Sequence, residues 1–418
     1  MEYTGIIITG TSGAGKSTIA GILCEKIRDL QVAQAVTTRK PREDDLSNMY
    51  QYMGKEEFDK LDKDRELLIK AIYRGEYYGI TYQALNIVLD NSRVPILVLT
   101  PESTKSLEED TKERGEFKYF IIFLDAPDDV LNSRLVERGE QNNENVEKQR
   151  REDRIYAKDC LYAISNTDDI DIEDTAQLLY SLWEYRGGGG MLPKKVIELM
   201  VKCGMLLKNA EIKDKVSGAS FDLSLGDQYW QDGEKRVLDN TNPFIKLKPG
   251  DYVIVSSKET ADFPRDIAGR FDLSVGLFCQ GIILSNGPQV DPGFKGGLFC
   301  LLFNTSNAII SLKRGQHYAT LEFIKLLEPT IPYLGKYQGM EDIIDYLPKP
   351  AEPSVITKIK EDIDALKSEI KEDIDALKSE KRWEKTMPLI LSILAIVVAI
   401  VIAVISVFIA YKEQLLPI

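Results

Sequence analysis

The segment with the clearest chemical meaning is GTSGAGKS, residues 10–17, which combines three glycines with a lysine and two serines. It follows an apolar, strand-like run and opens a helix. Glycines let backbone N–H groups curl around phosphate oxygens, and the N-terminus of the helix adds partial positive charge. Lys16 is expected to contact the β- and γ-phosphates of a nucleoside triphosphate, and the Ser17 hydroxyl to bind Mg²⁺. The predicted triphosphate-binding residues are Gly10, Ser12, Gly13, Gly15, Lys16, Ser17 and Thr18.

Residues 1–186, which carry this segment, alternate apolar runs with amphipathic helical stretches. That alternation predicts an α/β domain built on a parallel sheet. Four consecutive glycines, residues 187–190, then predict a flexible linker, and their position before Met191 is consistent with a join between two once-separate proteins. Residues 191–347 contain short β-rich runs broken by turns such as KPGD, SNGP and DPG, a pattern typical of an all-β barrel or sandwich.

The C-terminal part contains an eleven-residue repeat, with KEDIDALKSE at 360–369 and again at 371–380. Isoleucine and leucine recur there at spacings of three and four, and they form one stripe along a helix. We predict a coiled coil over residues 354–384, because a single solvated helix, the alternative, would leave this stripe exposed.

Residues 389–411 carry no charged side chain and are long enough to cross about 30 Å of hydrocarbon as a helix. Lys381, Arg382 and Lys385 precede this run, and an excess of basic residues marks the cytoplasmic side of a membrane helix. The sequence thus predicts a transmembrane helix at 387–411 in a single-pass, tail-anchored membrane protein whose N-terminal domains face the cytoplasm.

The formal net charge of −13 argues against binding to DNA or RNA, whose phosphates are held by an excess of lysine and arginine. The five cysteines are scattered, with no pair at metal-ligand spacing, and such a sparse set is typical of reduced thiols. His317 is the one histidine of the chain, which argues against histidine-based triads and against the zinc deaminase pattern.

Three further segments accompany the phosphate-binding residues: TTRKPR at 37–42, GEYYG at 75–79 and RLVERG at 134–139. With them, residues 1–186 resemble guanylate kinase. The resemblance implies ATP as phosphate donor and Lys16 as a catalytic residue. It also implies that Arg134, Arg138 and Arg150 neutralise charge on the transferred phosphoryl group, although a solvated helix face is the alternative for these arginines. The residues implied to hold the acceptor monophosphate are Arg39, Arg42, Tyr50 and Tyr78.

The residues at the positions that recognise the base differ from those of the guanylate kinase family. The two carboxylates that read guanine there are replaced by Ile69 and by Val98 or Thr100. Two serines beside the base become Ala35 and Ile80. Without carboxylates, the N–H donors of guanine lose their acceptors, at a typical cost of about 1–3 kcal/mol each. Either another base is phosphorylated, or the domain binds nucleotide without turning over GMP.

Four ordered segments in residues 191–340 resemble the dCTP deaminase/dUTPase superfamily: FDLSLG at 221–226, AGRFDL at 268–273, VDPGFKG at 290–296 and PYLGKYQG at 332–339. The resemblance implies a homotrimer of distorted β-barrels, which agrees with a bundle of three coiled-coil helices. It also implies that Asp291 activates water, with turn capping as the alternative role. The residues implied to frame a pyrimidine deoxynucleotide are Asp222, Arg270, Phe294, Lys336, Tyr337 and Gln338.

Other positions in this second region depart from active members of the superfamily. Leu301 stands where the deaminase general acid/base is expected, and an aliphatic side chain cannot carry a proton. In the segment that binds the phosphates in this superfamily, Phe271 replaces a serine, Asp272 adds negative charge and Val275 replaces an arginine. Deamination is therefore predicted to be lost, and triphosphate hydrolysis to be impaired.

Together these features predict a membrane-anchored protein that joins a nucleoside monophosphate kinase to a catalytically degenerate, pyrimidine nucleotide-binding trimer. Its expected partners are nucleoside mono- and triphosphates. Two alternatives remain: a nucleotide-sensing membrane effector, for example in phage defence, and an active dUTP/dCTP-metabolising hydrolase.

Overall fold

The computed structural model describes residues 4–42, 45–46, 48–73, 75–114, 118–139, 144–285, 289–347, 364–375 and 390–400. It divides into two compact units, Met1–Tyr346 and Leu347–Ile418. The first unit contains both regions that the sequence predicts to be globular.

Strands and helices alternate in the N-terminal region. The strands are β1 (Gly5–Gly10), β2 (Leu30–Val32), β3 (Ala35–Thr37), β4 (Tyr50–Tyr52), β5 (Leu67–Tyr73), β6 (Glu76–Thr81), β7 (Val94–Val98), β8 (Tyr119–Asp125) and β9 (Tyr162–Ser165). The helices are α1 (Lys16–Lys26), α2 (Lys55–Lys63), α3 (Tyr82–Asp90), α4 (Pro101–Arg114), α5 (Asp128–Glu137), α6 (Glu144–Ala157) and α7 (Ile172–Glu184). Five strands form a sheet in the order β2-β7-β1-β8-β9, and each of its pairings is parallel. The prediction of an α/β region on a parallel sheet is confirmed.

The central strand β1 is apolar and buried along its whole length, because apolar clusters form on both faces of the sheet. Ile6 and Ile8 pack into one cluster with residues of α1 and α7, whereas Ile7 packs into another with residues of α3 and α4. Neighbouring side chains of a strand point to opposite faces, which explains this division. Parallel strands also bring their carboxyl ends to one edge, so β1, β7 and β8 all end beside the phosphate-binding loop.

A second sheet of four strands, in the order β4-β3-β6-β5, faces the carboxyl edge of the first one across a cleft. Its β3–β4 pairing is parallel, and the other two pairings are antiparallel. The register places Ala35 opposite Ile80 and Ile80 opposite Ile69. Side chains from three strands therefore lie in one row across this sheet.

The following region is built mainly from antiparallel strands that curl into one large sheet. Its strands are β10 (Gly190–Met191), β11 (Leu206–Lys208), β12 (Val216–Ser217), β13 (Ser220–Gln231), β14 (Glu234–Val237), β15 (Phe244–Leu247), β16 (Tyr252–Asp262), β17 (Ile267–Leu273), β18 (Ile282–Leu284), β19 (Gln289–Val290), β20 (Lys295–Asn304), β21 (Ile310–Lys313) and β22 (His317–Lys325). The helices are α8 (Lys194–Lys202), α9 (Val275–Cys279) and α10 (Ile343–Tyr346). The long path of the sheet runs β18-β20-β16-β13-β22-β17-β19. The prediction of a β domain after the kinase-like region is confirmed.

The four glycines between the two regions end inside this sheet. Gly190 pairs with Lys325 through the short strand β10, and the next residue, Met191, pairs with Ile324. The end of the predicted linker is therefore held by β22.

The predicted membrane location is contradicted. Within the residues that the structure describes, no helix is both long and apolar enough to cross a membrane. Of the predicted transmembrane helix, the structure describes residues 390–400, which are helical. The remaining residues of the predicted transmembrane helix, 387–389 and 401–411, lie outside the described residues. Of the predicted coiled coil, the structure describes a helix at 364–375, and the coiled coil stays a prediction.

Candidate active site

The predicted phosphate-binding loop connects β1 to α1. Gly10 has a φ of +137°, and a Cβ there would lie 1.9 Å from the carbonyl oxygen of Leu124, so only glycine fits beside β8. Gly15 is also in the left-handed region, with a φ of +90°. Lys16 Nζ donates to the carbonyl oxygens of Gly10 and Thr11, at 2.8 Å each. The loop is therefore closed around its own lysine.

The electrostatic surroundings of Lys16 depend on carboxylates from two other elements. Burial of the ammonium group lowers the pKa of Lys16 to about 8, although the charges of Asp153 and Asp125 oppose this effect. Asp153 is only 5% exposed, and burial raises the pKa of its carboxyl group. The Gln149 side chain donates a hydrogen bond to Asp153 at 3.0 Å. Asp153, which the sequence did not single out, thus helps to keep Lys16 protonated.

The loop forms one end of an open cleft, whose empty space of about 1060 Å³ includes open solvent. Its walls come from the phosphate-binding loop, the four-stranded sheet and the start of α4. The cleft is lined by Gly10, Ser12, Gly13, Gly15, Lys16, Ser17, Ala35, Arg39, Arg42, Tyr50, Ile69, Ala71, Tyr73, Tyr78, Gly79, Ile80, Val98, Leu99, Thr100, Pro101, Ser103, Arg138 and Asp153. Most of the predicted donor and acceptor residues are therefore brought together.

Arg39 lies in this cleft within a compact cluster of aromatic and acidic side chains. Its guanidinium donates to both carboxylate oxygens of Asp45, at 2.8 and 2.5 Å, and lies 4.6 Å from the centre of the Tyr50 ring. The Tyr52 hydroxyl and the backbone N–H of Arg42 also donate to Asp45. Burial tends to raise the pKa of Asp45, but the hydrogen bonds from Arg39 and Tyr52 outweigh it and lower the pKa to about 2. Asp45 therefore stays ionised and holds the Arg39 guanidinium in place.

The opposite end of the cleft is mostly apolar. Ala35, Ile80 and Ile69 form the row across β3, β6 and β5, and Ile69 and Ile80 are 7% and 1% exposed. The polar groups at this end include the hydroxyls of Thr100 and Ser103, which hydrogen-bond to each other at 2.8 Å. No carboxylate lines the cleft beside this row, within the residues that the structure describes.

The three arginines predicted to neutralise charge on the transferred phosphoryl group occupy different surroundings. Arg138 lines the cleft. Arg134 instead pairs with Asp168 at 2.6 Å and donates to the carbonyl oxygen of Gly13 at 3.3 Å. Arg150 is 3% exposed and lies 3.6 Å from the nearest oxygen of Asp128. Arg134 and Arg150 do not line the cleft, nor does Thr18, which is exposed at the start of α1.

Sequence reasoning missed a carboxylate and an amide that support the loop. Asp125, the last residue of β8, accepts a hydrogen bond from the Thr11 hydroxyl at 2.9 Å and pairs with Arg154 at 2.7 Å. Asn166, just after β9, donates to the carbonyl oxygen of Ala14 at 2.9 Å. Both positions follow from strand order, since the carboxyl ends of β8 and β9 lie next to that of β1. Strand order is a tertiary feature, so no local pattern in the sequence pointed to either residue.

In the β domain, part of the predicted set gathers around the turn that begins at Asp291. The Gln289 side chain donates to Asp291 at 2.9 Å, and the Gln338 side chain donates to the carbonyl oxygen of Gly293 at 2.9 Å. Phe294 is 9% exposed and packs edge-on against Tyr333, so its ring is largely enclosed within the chain.

The remaining predicted residues of this domain lie elsewhere. Tyr337 stacks on Tyr346 with a centroid separation of 4.7 Å, and the Lys336 ammonium lies over the Tyr337 ring. Asp222 sits on β13, 3.4 Å from His317 Nε2, whereas Arg270 is exposed on β17. A pocket in this domain is lined by other residues, including Asp227, Ser256, Lys258, Lys313 and Arg314.

Comparison with known proteins assigns the two regions separately. Residues 2–184 match the family model of guanylate kinase, and residues 191–326 match that of dCTP deaminase-like proteins. The guanylate kinase of Prochlorococcus marinus subsp. pastoris is 30% identical over 146 residues, 34% of this chain and 76% of that protein. The dCTP deaminase of Thermococcus kodakarensis is 32% identical over 133 residues, 31% of this chain and 84% of that protein. A solved guanylate kinase structure from Anaplasma phagocytophilum is 22% identical, covers 44% of this chain and 87% of its own, and has a TM-score of 0.35. The chain therefore belongs to the guanylate kinase family over its N-terminal region and to the dCTP deaminase-like family over the region that follows.

Proposed function

We propose that the N-terminal region is a nucleoside monophosphate kinase that transfers the terminal phosphoryl group of ATP to a nucleotide whose base is not guanine. The observation that carries this proposal is the single cleft that joins Lys16 in the phosphate-binding loop to Arg39 and Arg42. Phosphoryl transfer depends mainly on positioning and on positive charge around the transferred group. The cleft supplies both, since Arg138 lines it as well.

The loop fits a triphosphate and its metal ion. Gly10 and Gly15 adopt conformations that leave no room for a side chain, so the backbone itself forms the cradle. Mg²⁺ would be held by the Ser17 hydroxyl, and when bound it would neutralise charge on the phosphate oxygens. Within the described residues, no group of three or more His, Cys, Asp or Glu side chains is placed to hold a metal ion. Mg²⁺ that is bound together with a nucleotide usually takes phosphate oxygens and water as further ligands.

The acceptor end of the cleft favours a pyrimidine base. Its row of Ala35, Ile69 and Ile80 offers no acceptor for the N–H donors of guanine. The hydroxyls of Thr100 and Ser103 can both donate and accept hydrogen bonds, so they can hydrogen-bond to the polar edge of a smaller base. The second domain belongs to a family of pyrimidine deoxynucleotide enzymes, which supports the same substrate class.

The kinase proposal is tested with the full chain in a coupled assay across ribo- and deoxynucleoside monophosphates. Turnover should be greatest with a pyrimidine monophosphate and poorest with GMP, and Lys16→Ala should abolish it. Ile69→Glu should raise kcat/KM for GMP by about tenfold or more, because it restores an acceptor for guanine, whereas the uncharged control Ile69→Gln should raise it less. GMP as the best substrate of the wild-type protein would contradict the proposal.

For the second domain we propose that it binds a pyrimidine deoxynucleotide without deaminating or hydrolysing it at a useful rate. Leu301 lies on β20 and has no group that could carry a proton. Phe271 is 1% exposed and part of the core, while Val275 is 75% exposed and offers no charge to a phosphate. A homotrimer through this domain remains a prediction, supported by exposed apolar side chains on α9 and β18, Val275, Phe278 and Ile283.

A further inference from the structure

The β domain holds the edge strand of the kinase sheet at both of its ends. Strand β9 is the last strand in the order β2-β7-β1-β8-β9. Edge strands present unpaired backbone groups, which proteins commonly cover with another element. Here the covering element belongs to the β domain, and the two regions share one continuous apolar core.

The first anchor is a buried polar cluster at the start of β9. The Tyr162 hydroxyl donates to Asp266, which also pairs with Lys325 at 2.5 Å. Tyr162 and Asp266 are fully buried, and Lys325 is 8% exposed. Asp266 and Lys325 both belong to the β domain, and the Lys325 ammonium also donates to the Tyr162 hydroxyl at 3.3 Å. The Tyr162 hydroxyl therefore ties the start of β9 to an ion pair that lies just before β17 and on β22.

The second anchor lies at the end of β9. The carbonyl oxygen of Cys203, just after α8, accepts a hydrogen bond from the backbone N–H of Ser165 at 2.9 Å. The Cys203 side chain is fully buried; burial raises the pKa of its thiol to about 12, and a hydrogen bond with Thr175 of α7 opposes this effect. Helix α8 also packs against α7. The end of β9 is thus clamped between two helices of different domains.

Asn166, the residue that follows β9, supports the phosphate-binding loop. Asn166 is 2% exposed, and its Nδ2 atom donates to the carbonyl oxygen of Ala14 at 2.9 Å. A Cβ at Gly15 would lie 2.6 Å from the same Nδ2 atom, so the loop rests directly on this amide. The Thr175 hydroxyl lies 3.5 Å from Asn166 Oδ1. A displacement of β9 would therefore move the support of the loop.

We propose that Asn166 is a positioning residue for the phosphate-binding loop and that the β domain, by anchoring β9 at Tyr162 and Ser165, keeps Asn166 in place. The nucleotide affinity of the kinase cleft then depends on contacts made by the other domain. The effect on nucleotide affinity rests on the proposed function. The effect on the order of the phosphate-binding loop does not, because it can be measured without any ligand.

The test uses full-length Tyr162→Phe, with Tyr318→Phe as the matched control. Both tyrosines are fully buried, but the Tyr318 hydroxyl bonds Ser257 inside the β domain, at 2.6 Å. Hydrogen exchange of the amides in residues 11–16 is measured without ligand, and ATP binding is measured by calorimetry. Tyr162→Phe should speed exchange in the loop and weaken ATP binding, each by about threefold or more, with exchange in α2 unchanged. Asn166→Ala should have a larger effect on both, because it removes the contact itself.

Tyr318→Phe should leave loop exchange and ATP affinity within twofold of the wild-type values even where it lowers the melting temperature as much as Tyr162→Phe. Equal effects of the two variants on loop exchange, or no effect of Tyr162→Phe, would overturn the proposal and leave the interface a purely structural one. If the wild-type protein binds no ATP, the proposed kinase function fails, and the exchange comparison still decides whether the β domain positions the loop.

Discussion

The lowered pKa of Lys16 predicts that ATP binding weakens in mildly alkaline solution. In the free protein, burial brings the pKa of Lys16 to about 8, against an ordinary value of 10.5. Phosphate oxygens attract the ammonium form and not the neutral amine, so ATP selects protein in which Lys16 is protonated. Binding should therefore be accompanied by proton uptake near and above pH 8.

The magnitude follows from the protonated fraction, which for a pKa of about 8 is about 0.9 at pH 7, about 0.5 at pH 8 and about 0.1 at pH 9. The apparent Kd is the intrinsic Kd divided by the binding-competent fraction, so it should rise about tenfold between pH 7 and pH 9. Phosphate monoesters lose their second proton near about pH 6, so the ligand contributes little in this range. Asp153→Asn removes a charge that raises the pKa of Lys16 and should shift the transition to lower pH.

Isothermal titration calorimetry with MgATP at pH 7, 8 and 9, at constant ionic strength, measures both the Kd and the proton uptake. Lys16→Met serves as the control: it should bind more weakly, and its Kd should not change with pH. A wild-type Kd that is equal at pH 7 and pH 9, or an Asp153→Asn transition that does not move, would refute this assignment of the Lys16 pKa.

Two further predictions concern Asp45, which holds the Arg39 guanidinium, and the β domain. Asp45→Asn should lower the free energy of unfolding by about 2 kcal/mol at pH 7, because folding lowers the pKa of the Asp45 carboxyl group to about 2. A carboxyl group with a lowered pKa stabilises the folded state above its unfolded pKa, and this stabilisation is lost as the pH falls towards 2. About half of the difference should remain at pH 3; urea unfolding at both pH values checks this, and an equal difference at both would contradict it. The full chain should release neither ammonia from dCTP nor pyrophosphate from dUTP at a useful rate, with losses of at least about a hundredfold relative to an active enzyme of the family. Rapid pyrophosphate release that Asp291→Asn abolishes would restore a hydrolase.

The sequence was most informative where chemistry depends on neighbouring residues. The phosphate-binding loop needs glycines, a lysine and a serine within eight positions, so the segment from Gly10 to Ser17 was recognisable without any tertiary information. The alternation of strands and helices likewise predicted the parallel sheet, because a strand buried on both faces is a continuous apolar run, as in β1. The membrane location predicted from the apolar run at 389–411 was wrong, since no helix within the described residues is both long and apolar enough to cross a membrane.

What the sequence by itself determined, then, is the pair of families and the loop that binds phosphate, since both depend on short-range patterns of residue type. Only the tertiary structure decided which charges surround Lys16, which carboxylate holds Arg39, and that Asn166 supports the loop from the end of β9. Asp153, Asp45 and Asn166 lie in different elements, and no spacing along the chain relates them to their partners. The same is true of Tyr162, Asp266 and Lys325, which come from two domains and meet only because the edge strand of one sheet is covered by the other domain. Long-range contacts of this kind are set by strand order and packing, and a local pattern carries no record of them.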